Sequence, residues 1–166
     1  MIMKFNKIVL VVTSIAALLY VLGLFFPTNL EREPIDENFG FTALLLHNSR
    51  AQFISILLGS ITLGIYSLTY MFINFFSMGF ITATLLTEES VSNVISMFLL
   101  HGIFEIPAMI LSISLGIYIP WKLIGMVKNK TINTVAIRKT AGIFIVILIL
   151  TVVAAAIEAF VTPKIM

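Results

Sequence analysis

Long apolar runs are the feature of this sequence that most restricts its fold. Apolar residues dominate four stretches of the chain, 8–26, 41–86, 94–119 and 141–161. A helix needs about 20 mostly apolar residues to cross a bilayer. Only 11% of the residues are charged, whereas soluble domains typically carry about 25%. The sequence therefore predicts an all-α, polytopic integral membrane protein whose main surroundings are the lipid bilayer.

The polar interruptions predict about five transmembrane helices in a single domain, 1–166. The expected spans are 8–26, 41–63, 66–86, 94–119 and 141–161, with acidic outer loops at 27–40 and 87–93 and a basic inner segment at 120–140. The stretch 41–86 crosses twice if its turn is tight, and a partly re-entrant path is the alternative. Pro107 is expected to bend the fourth span. The first run is interpreted as a retained span, because no small-residue cleavage site follows it.

The charges are sorted by location. Most basic residues flank the ends predicted to face inward, namely Lys4, Lys7, Lys122, Lys128, Lys130, Arg138 and Lys139. Acidic residues concentrate in the other loops, so the positive-inside rule places the N-terminus in the cytoplasm and the C-terminus outside a cytoplasmic membrane. This sorting argues against a nucleic-acid partner, which needs basic residues on one face. The absence of cysteine excludes disulfides and thiolate metal sites.

Four ionisable residues lie inside apolar stretches, and such residues indicate a functional site by default because burying them in lipid is costly. They are His47, His101, Glu105 and Glu158. At 1.5 Å per residue, His47 lies about 9 Å below Phe41, His101 about 10 Å below Val94 and Glu158 about 6 Å below Thr162. Glu105 follows His101 by four residues and so shares its helix face. The predicted cluster lies in the outer half of the membrane.

Two imidazoles and two carboxylates form a set that suits zinc. His47, His101 and one glutamate would bind the ion, and the other glutamate, Glu105 or Glu158, would act as general base on its water. Two other interpretations remain open. The same residues can hydrogen-bond to each other or to the supporting polar residues Asn48, Arg50 and Gln52, joining the helices, or they can relay protons.

Two segments carry a resemblance to a known family. HGIFEIPAMILSISLGIYI (101–119) resembles the signature span of the stage II sporulation protein M family, and AAAIEAFVTP (154–163) resembles its closing span. Asn48, Gly59 and Gly64 fit the family's second span. The resemblance covers about 44–163 and implies that His101, Glu105 and Glu158 occupy motif positions. His47 comes from the depth argument alone.

The resemblance implies two kinds of function. Sporulation members gather peptidoglycan hydrolases as non-catalytic scaffolds. Compact members occur with circular bacteriocin biosynthesis, in maturation, export or immunity, often beside an ATP-binding transporter subunit. We therefore expect this protein to act on a hydrophobic peptide substrate or cargo, either as a zinc-dependent intramembrane peptidase or cyclase or as a non-catalytic scaffold, transport or immunity subunit. A homo-oligomer is a further candidate assembly.

Overall fold

The computed structural model describes residues 4–27 and 40–161, with only the backbone of residues 96–101. Within these ranges the chain forms five α-helices and no strand: α1 (Phe5–Gly23), α2 (Phe41–Ile61), α3 (Ile65–Glu88), α4 (Val91–Asn129) and α5 (Thr134–Phe160). The all-α membrane architecture predicted from the sequence is confirmed. Most of the predicted acidic loop 27–40 lies outside the described residues.

Four helices in the described part of the chain are long and apolar enough to cross a membrane. They are α1, α3, residues 102–129 of α4, and α5. The fifth, α2, is 21 residues long, but a run of polar residues at 47–50 and Gln52 lowers its hydropathy. It nevertheless packs against α3, α4 and α5, so it lies beside spanning helices.

A short turn divides the stretch 41–86 into α2 and α3. Leu63 and Gly64 both have positive φ angles, 56° and 99°, and the Gly64 N–H donates to the Gly59 carbonyl at 2.7 Å. This bond closes the left-handed ending common at helix C-termini. The Thr62 hydroxyl then accepts from the Tyr66 N–H at 2.9 Å, which satisfies a free donor at the start of α3.

The basic inner segment predicted at 120–140 is mostly helical. α4 continues through Pro107 and Pro120 to Asn129, and Lys130 ends it in the left-handed conformation. α5 begins at Thr134, where the Asn133 side chain accepts from the Ala136 N–H at 2.9 Å. A proline removes one helical hydrogen bond, but the surrounding residues favour helix, and α4 continues on both sides of Pro107 and Pro120.

The central helix is α4, which contacts each of the other four helices. Its middle turns are almost free of solvent exposure, and its buried residues include Ala108, Met109, Ser112, Ile113, Ser114 and Leu115. α1 packs a stripe at helical spacing, Phe5, Ile8, Val12 and Ala16, into the same core. The exposed faces of the helices carry large apolar side chains, as a lipid-facing surface requires.

Aromatic contacts identify the two ends of the bundle. At one end the Phe5 ring packs edge-on against Tyr118, with 5.3 Å between the ring centroids. Lys139 Nζ lies 5.3 Å from the Phe5 ring centre. At the opposite end Phe41 of α2 stacks on Phe160 of α5 at 5.9 Å. The first end, here called the basic end, therefore joins the start of α1, the later half of α4 and the start of α5.

Single cysteines at the two ends of α4 test the predicted orientation. Val91 and Val127 are 62% and 79% exposed, and the chain contains no cysteine of its own. Because the positive-inside rule places the basic end in the cytoplasm, we expect a membrane-impermeant maleimide to label Val91→Cys in intact cells. It should label Val127→Cys only after lysis. The reverse labelling pattern would contradict the predicted orientation.

Candidate functional site

One face of α2 forms a polar stripe inside the bundle. Asn48, Gln52 and Ser55 are 9%, 2% and 0% exposed, and the buried Gly59 continues the row. Their spacing of four, three and four residues places them on one side of the helix. Because lipid offers no hydrogen bonds, polar groups inside a membrane bundle must face one another or a ligand.

Side chains from α3 and α5 meet this stripe. The Thr151 hydroxyl lies 2.8 Å from the Gln52 Oε1 and 2.8 Å from the Ile147 carbonyl. The Ser67 hydroxyl donates to the Ser55 carbonyl at 2.8 Å. Asn48 Nδ2 and Gln52 Nε2 are buried and find no acceptor among the described protein atoms. The described residues therefore satisfy the hydrogen-bonding groups of this stripe only in part.

Glu105 and Glu158 lie on the faces of α4 and α5 that face the core. Glu105 precedes the buried Ala108 and Met109 by three and four residues, and Glu158 follows the buried Ala154 by four. Each glutamate is half-buried as a residue, and its Oε2 atom has almost no solvent-accessible area. Tyr70 of α3 lies within electrostatic range of Glu105.

Contacts between helices show that the two carboxylates share one level. Gln52 lies beside Thr151, and a Cβ atom at Gly116 would lie 2.9 Å from the Ser55 carbonyl oxygen. Counting from this Ser55–Gly116 level at 1.5 Å per residue, Glu105 lies about 17 Å and Glu158 about 15 Å toward the Phe41 end. Since α4 packs against α5, both carboxylates enter the same layer of the bundle, here called the glutamate layer.

Asn48 and His47 lie slightly closer to the middle of the bundle. The same count places them about 11 Å and 12 Å from the Ser55 level. Asn48 faces the core, but His47 is exposed, because successive residues of a helix are about 100° apart around its axis. Arg50 is also exposed. His47 and Asn48 therefore lie within about 6 Å of the glutamate layer along the bundle axis, but His47 and Arg50 lie on a different face of α2 from Asn48.

Zinc binding by the predicted residues stays a prediction. Among the described side chains, no three histidine, aspartate or glutamate residues come close enough together to hold a metal ion, so His47 does not form such a group with Glu105 and Glu158. His101 precedes Glu105 by four residues in α4, but its side chain lies outside the described part. The donors that fit zinc by residue type are then His101, Glu105 and Glu158.

Several polar core residues were not identified from the sequence. These are hydroxyl residues within apolar spans: Ser55, Ser67, Ser112, Ser114 and Thr151, all at most 1% exposed. Serine and threonine bond readily to their own helix, as Thr13 does to Val9, so their presence alone predicts little. For Thr151 the sequence does offer a signal, because Thr151 lies seven residues before Glu158 and therefore on the same helix face.

Most of the chain matches a known protein family. The stage II sporulation protein M family model matches residues 8–163. An uncharacterized protein of Methanocaldococcus jannaschii is 34% identical over 131 residues, which cover 76% of this chain and 73% of the relative. No solved structure matches.

Proposed function

Because this chain belongs to the stage II sporulation protein M family, we propose that it is a multi-pass membrane protein acting in the maturation or export of a hydrophobic peptide, such as a circular bacteriocin. The family membership and the apolar helices support a membrane protein. The role in peptide handling rests on the chemistry of the glutamate layer.

The observation that carries the proposal is the common level of Glu105 and Glu158 on the core faces of two packed helices. A bundle held together by packing alone needs small and apolar residues at its helix contacts, and an ionisable residue at membrane depth costs about 3 kcal/mol on insertion scales. Two carboxylates at one level between packed helices are suited to receiving a cationic group that enters the bundle.

A linear hydrophobic peptide has the groups that this layer can bind. Its terminal ammonium needs a carboxylate when it leaves water, and its backbone N–H and C=O groups need partners inside the membrane. Glu105 and Glu158 would pair with the ammonium. Asn48 Nδ2, which has no acceptor among the described protein atoms, would donate to a peptide carbonyl. These are the contacts needed to hold a peptide end for processing or transfer.

Peptide analysis of the source cells tests this function. In a strain lacking the gene, we expect at least one secreted hydrophobic peptide to disappear from the medium and its precursor to accumulate in membranes, as measured by mass spectrometry. Wild-type protein should restore secretion, whereas the Glu105→Gln/Glu158→Gln double variant should not. Glu88→Gln, at the exposed end of α3, is the matched control. An unchanged set of peptides would exclude the role and favour a scaffold.

A second candidate function is metal-dependent peptide cleavage or cyclisation at the same layer. The observation that favours it is the residue set, since Glu105 and Glu158 share a level and His101 lies one helical turn before Glu105. These three residues would hold the metal. A bound zinc ion would supply an activated water or polarise a peptide carbonyl. His47 would not take part, because it is exposed on another face of α2.

Metal content of purified protein separates the two candidates. If the protein is a metal-dependent peptidase or cyclase, the wild-type protein contains about one zinc ion per chain, because three protein ligands and a water complete a catalytic zinc site. His101→Ala and Glu158→Gln should lose the metal, and His47→Ala should retain it. Elemental analysis in detergent checks this, with Glu88→Gln as control. Equal background zinc in the wild type and in His101→Ala would exclude the metal-dependent candidate.

A further inference from the structure

An exposed arginine lies in the middle of α2. Arg50 is nine residues after Phe41 and eleven before Ile61 in this helix, so it lies about 14 Å and 17 Å from the two ends. Long basic side chains reach the membrane interface only from near a helix end. α2 runs beside α5, with Phe41 against Phe160 and Gln52 against Thr151, so Arg50 lies at membrane depth. An arginine in this position requires a polar partner.

A groove between α2 and α5 opens beside Arg50. Its volume is ≈ 390 Å³, and its walls are mostly apolar, including Leu46, Phe53, Phe144 and Leu148. A second groove of ≈ 370 Å³ shares Ile56 and Phe144 with the first and continues between α4 and α5 to Lys122 and Met126. The two grooves are therefore neighbours along the outside of the bundle, and together they are here called the furrow.

The length of this furrow suits a membrane-spanning helix. From the Ser55–Gly116 level, Leu46 lies about 14 Å toward the Phe41 end and Met126 about 15 Å toward the basic end, which gives a total of about 29 Å. The hydrocarbon core of a bilayer is about 30 Å thick. A helix lying in the furrow would therefore be covered over the whole membrane depth.

Three polar side chains, which include a guanidinium and an amide, line the first groove. Arg50, Ser49 and Gln52 line it. Gln52 is only 2% exposed, and its Oε1 already accepts from Thr151, but its Nε2 has no acceptor among the described protein atoms. None of the lining residues is acidic. The occupant must therefore bring an acceptor, and a carboxylate matches a guanidinium best.

A second copy of this chain is a poor source for that carboxylate. Among the described residues, Glu88 and Glu89 lie at the end of α3, and Glu105 and Glu158 are on core-facing helix sides. None of these lies on the lipid-facing surface at the depth of Arg50. We propose that the furrow binds a transmembrane helix of a different polypeptide, which carries an aspartate or glutamate at mid-membrane paired with Arg50 and Gln52.

Designed peptides in lipid vesicles test this proposal on the full chain. The probes are two leucine–alanine transmembrane peptides that differ at one central residue, glutamate or leucine. The protein carries a fluorophore at Val127→Cys, and energy transfer to labelled peptide measures association. We expect the glutamate peptide to bind at least about tenfold more tightly than the leucine peptide, because one interhelical hydrogen bond in a membrane gives about 1–2 kcal/mol and 1.4 kcal/mol is tenfold.

Variants assign the effect to Arg50. Arg50→Gln should bind both peptides equally, whereas Arg138→Gln, at the basic end, should behave as the wild type. Arg50→Glu should instead prefer a peptide with a central arginine, and this reversal excludes a folding defect as the cause. Equal binding of the two peptides by the wild type would overturn the proposal. Energy transfer between labelled copies of the protein would also overturn the proposal if Arg50→Gln abolished it, because that result would show that a second copy occupies the furrow.

This proposal is independent of the role in peptide maturation. It concerns the outer surface of α2 and α5, whereas the glutamate layer lies between core-facing sides of α4 and α5. Equal binding of the glutamate and leucine peptides in vesicles would not change the result expected for the secreted peptides. Conversely, an unchanged set of secreted peptides would leave the helix-binding furrow unaffected.

Discussion

Replacing Gly79 by alanine should lower the free energy of unfolding by about 3 kcal/mol, since overpacking at a rigid contact costs up to this amount. A Cβ atom at Gly79 would overlap the Tyr20 carbonyl oxygen and lie 3.2 Å from Gly23 Cα. The obstacle is the backbone of α1, which cannot rotate away as a side chain can. We therefore expect α1 and α3 to separate locally, and Gly23→Ala to have a similar effect because its Cβ would overlap the Phe76 carbonyl oxygen.

Unfolding in a denaturing detergent measures this loss, with the single tryptophan, Trp121, as the fluorescent reporter. Gly142→Ala is the matched control, because α5 has open space at that position, with no atom within 4 Å of an added Cβ. Alanine is also the better helix former, by about 1 kcal/mol. If Gly79→Ala and Gly142→Ala unfolded at the same detergent concentration, the close contact between α1 and α3 would be contradicted.

Replacing Thr151 by valine should cost about 1–2 kcal/mol, because the buried Gln52 Oε1 would lose its donor while the shape of the side chain hardly changes. Gln52 then has two unsatisfied groups, as its Nε2 already has no acceptor among the described protein atoms. Thr13→Val is the control. Thr13 is exposed and bonds only locally to the Val9 carbonyl, so its replacement should change stability by less than about 0.5 kcal/mol.

A double-mutant cycle isolates the bond between Gln52 and Thr151. Gln52→Leu in the Thr151→Val background removes the stranded polar groups, and replacing both partners by apolar residues can be nearly neutral. The double variant should therefore be more stable than Thr151→Val alone. Unfolding in detergent again provides the measurement. Additive losses in the double variant would show that the two side chains do not interact across α2 and α5.

The class of fold follows from the sequence because the bilayer imposes it. Lipid satisfies no backbone hydrogen bonds, so long apolar runs must be helical. The end of the fourth helix was less predictable. The basic composition of 120–140 indicates the membrane surface but not the conformation, and α4 passes through Pro120 to Asn129. A proline in sequence signals a helix end only when the following residues do not favour helix.

Depth within the membrane also follows from the sequence, since each residue advances a helix by 1.5 Å. Counting residues was enough to expect Glu105 and Glu158 in one half of the bilayer, and the contacts of α2, α4 and α5 place them at one level. The direction in which a side chain points cannot be counted from the sequence in this way. In α2 the polar residues at 47–50 cover all sides of the helix, because each step turns about 100°.

Tertiary packing decided which of those sides became the interior. Asn48 and Gln52 face α4 and α5, whereas His47 and Arg50 are exposed, and no periodicity in α2 distinguishes the two sets. The bond between Gln52 and Thr151 joins residues 99 positions apart, so it exists only because antiparallel helices align those turns. The sequence alone therefore determined the helices and their membrane-spanning character, and it predicted that the two glutamates lie at similar depth. Only the packing of helix against helix determined which polar groups meet, because this depends on the rotation of each helix about its axis.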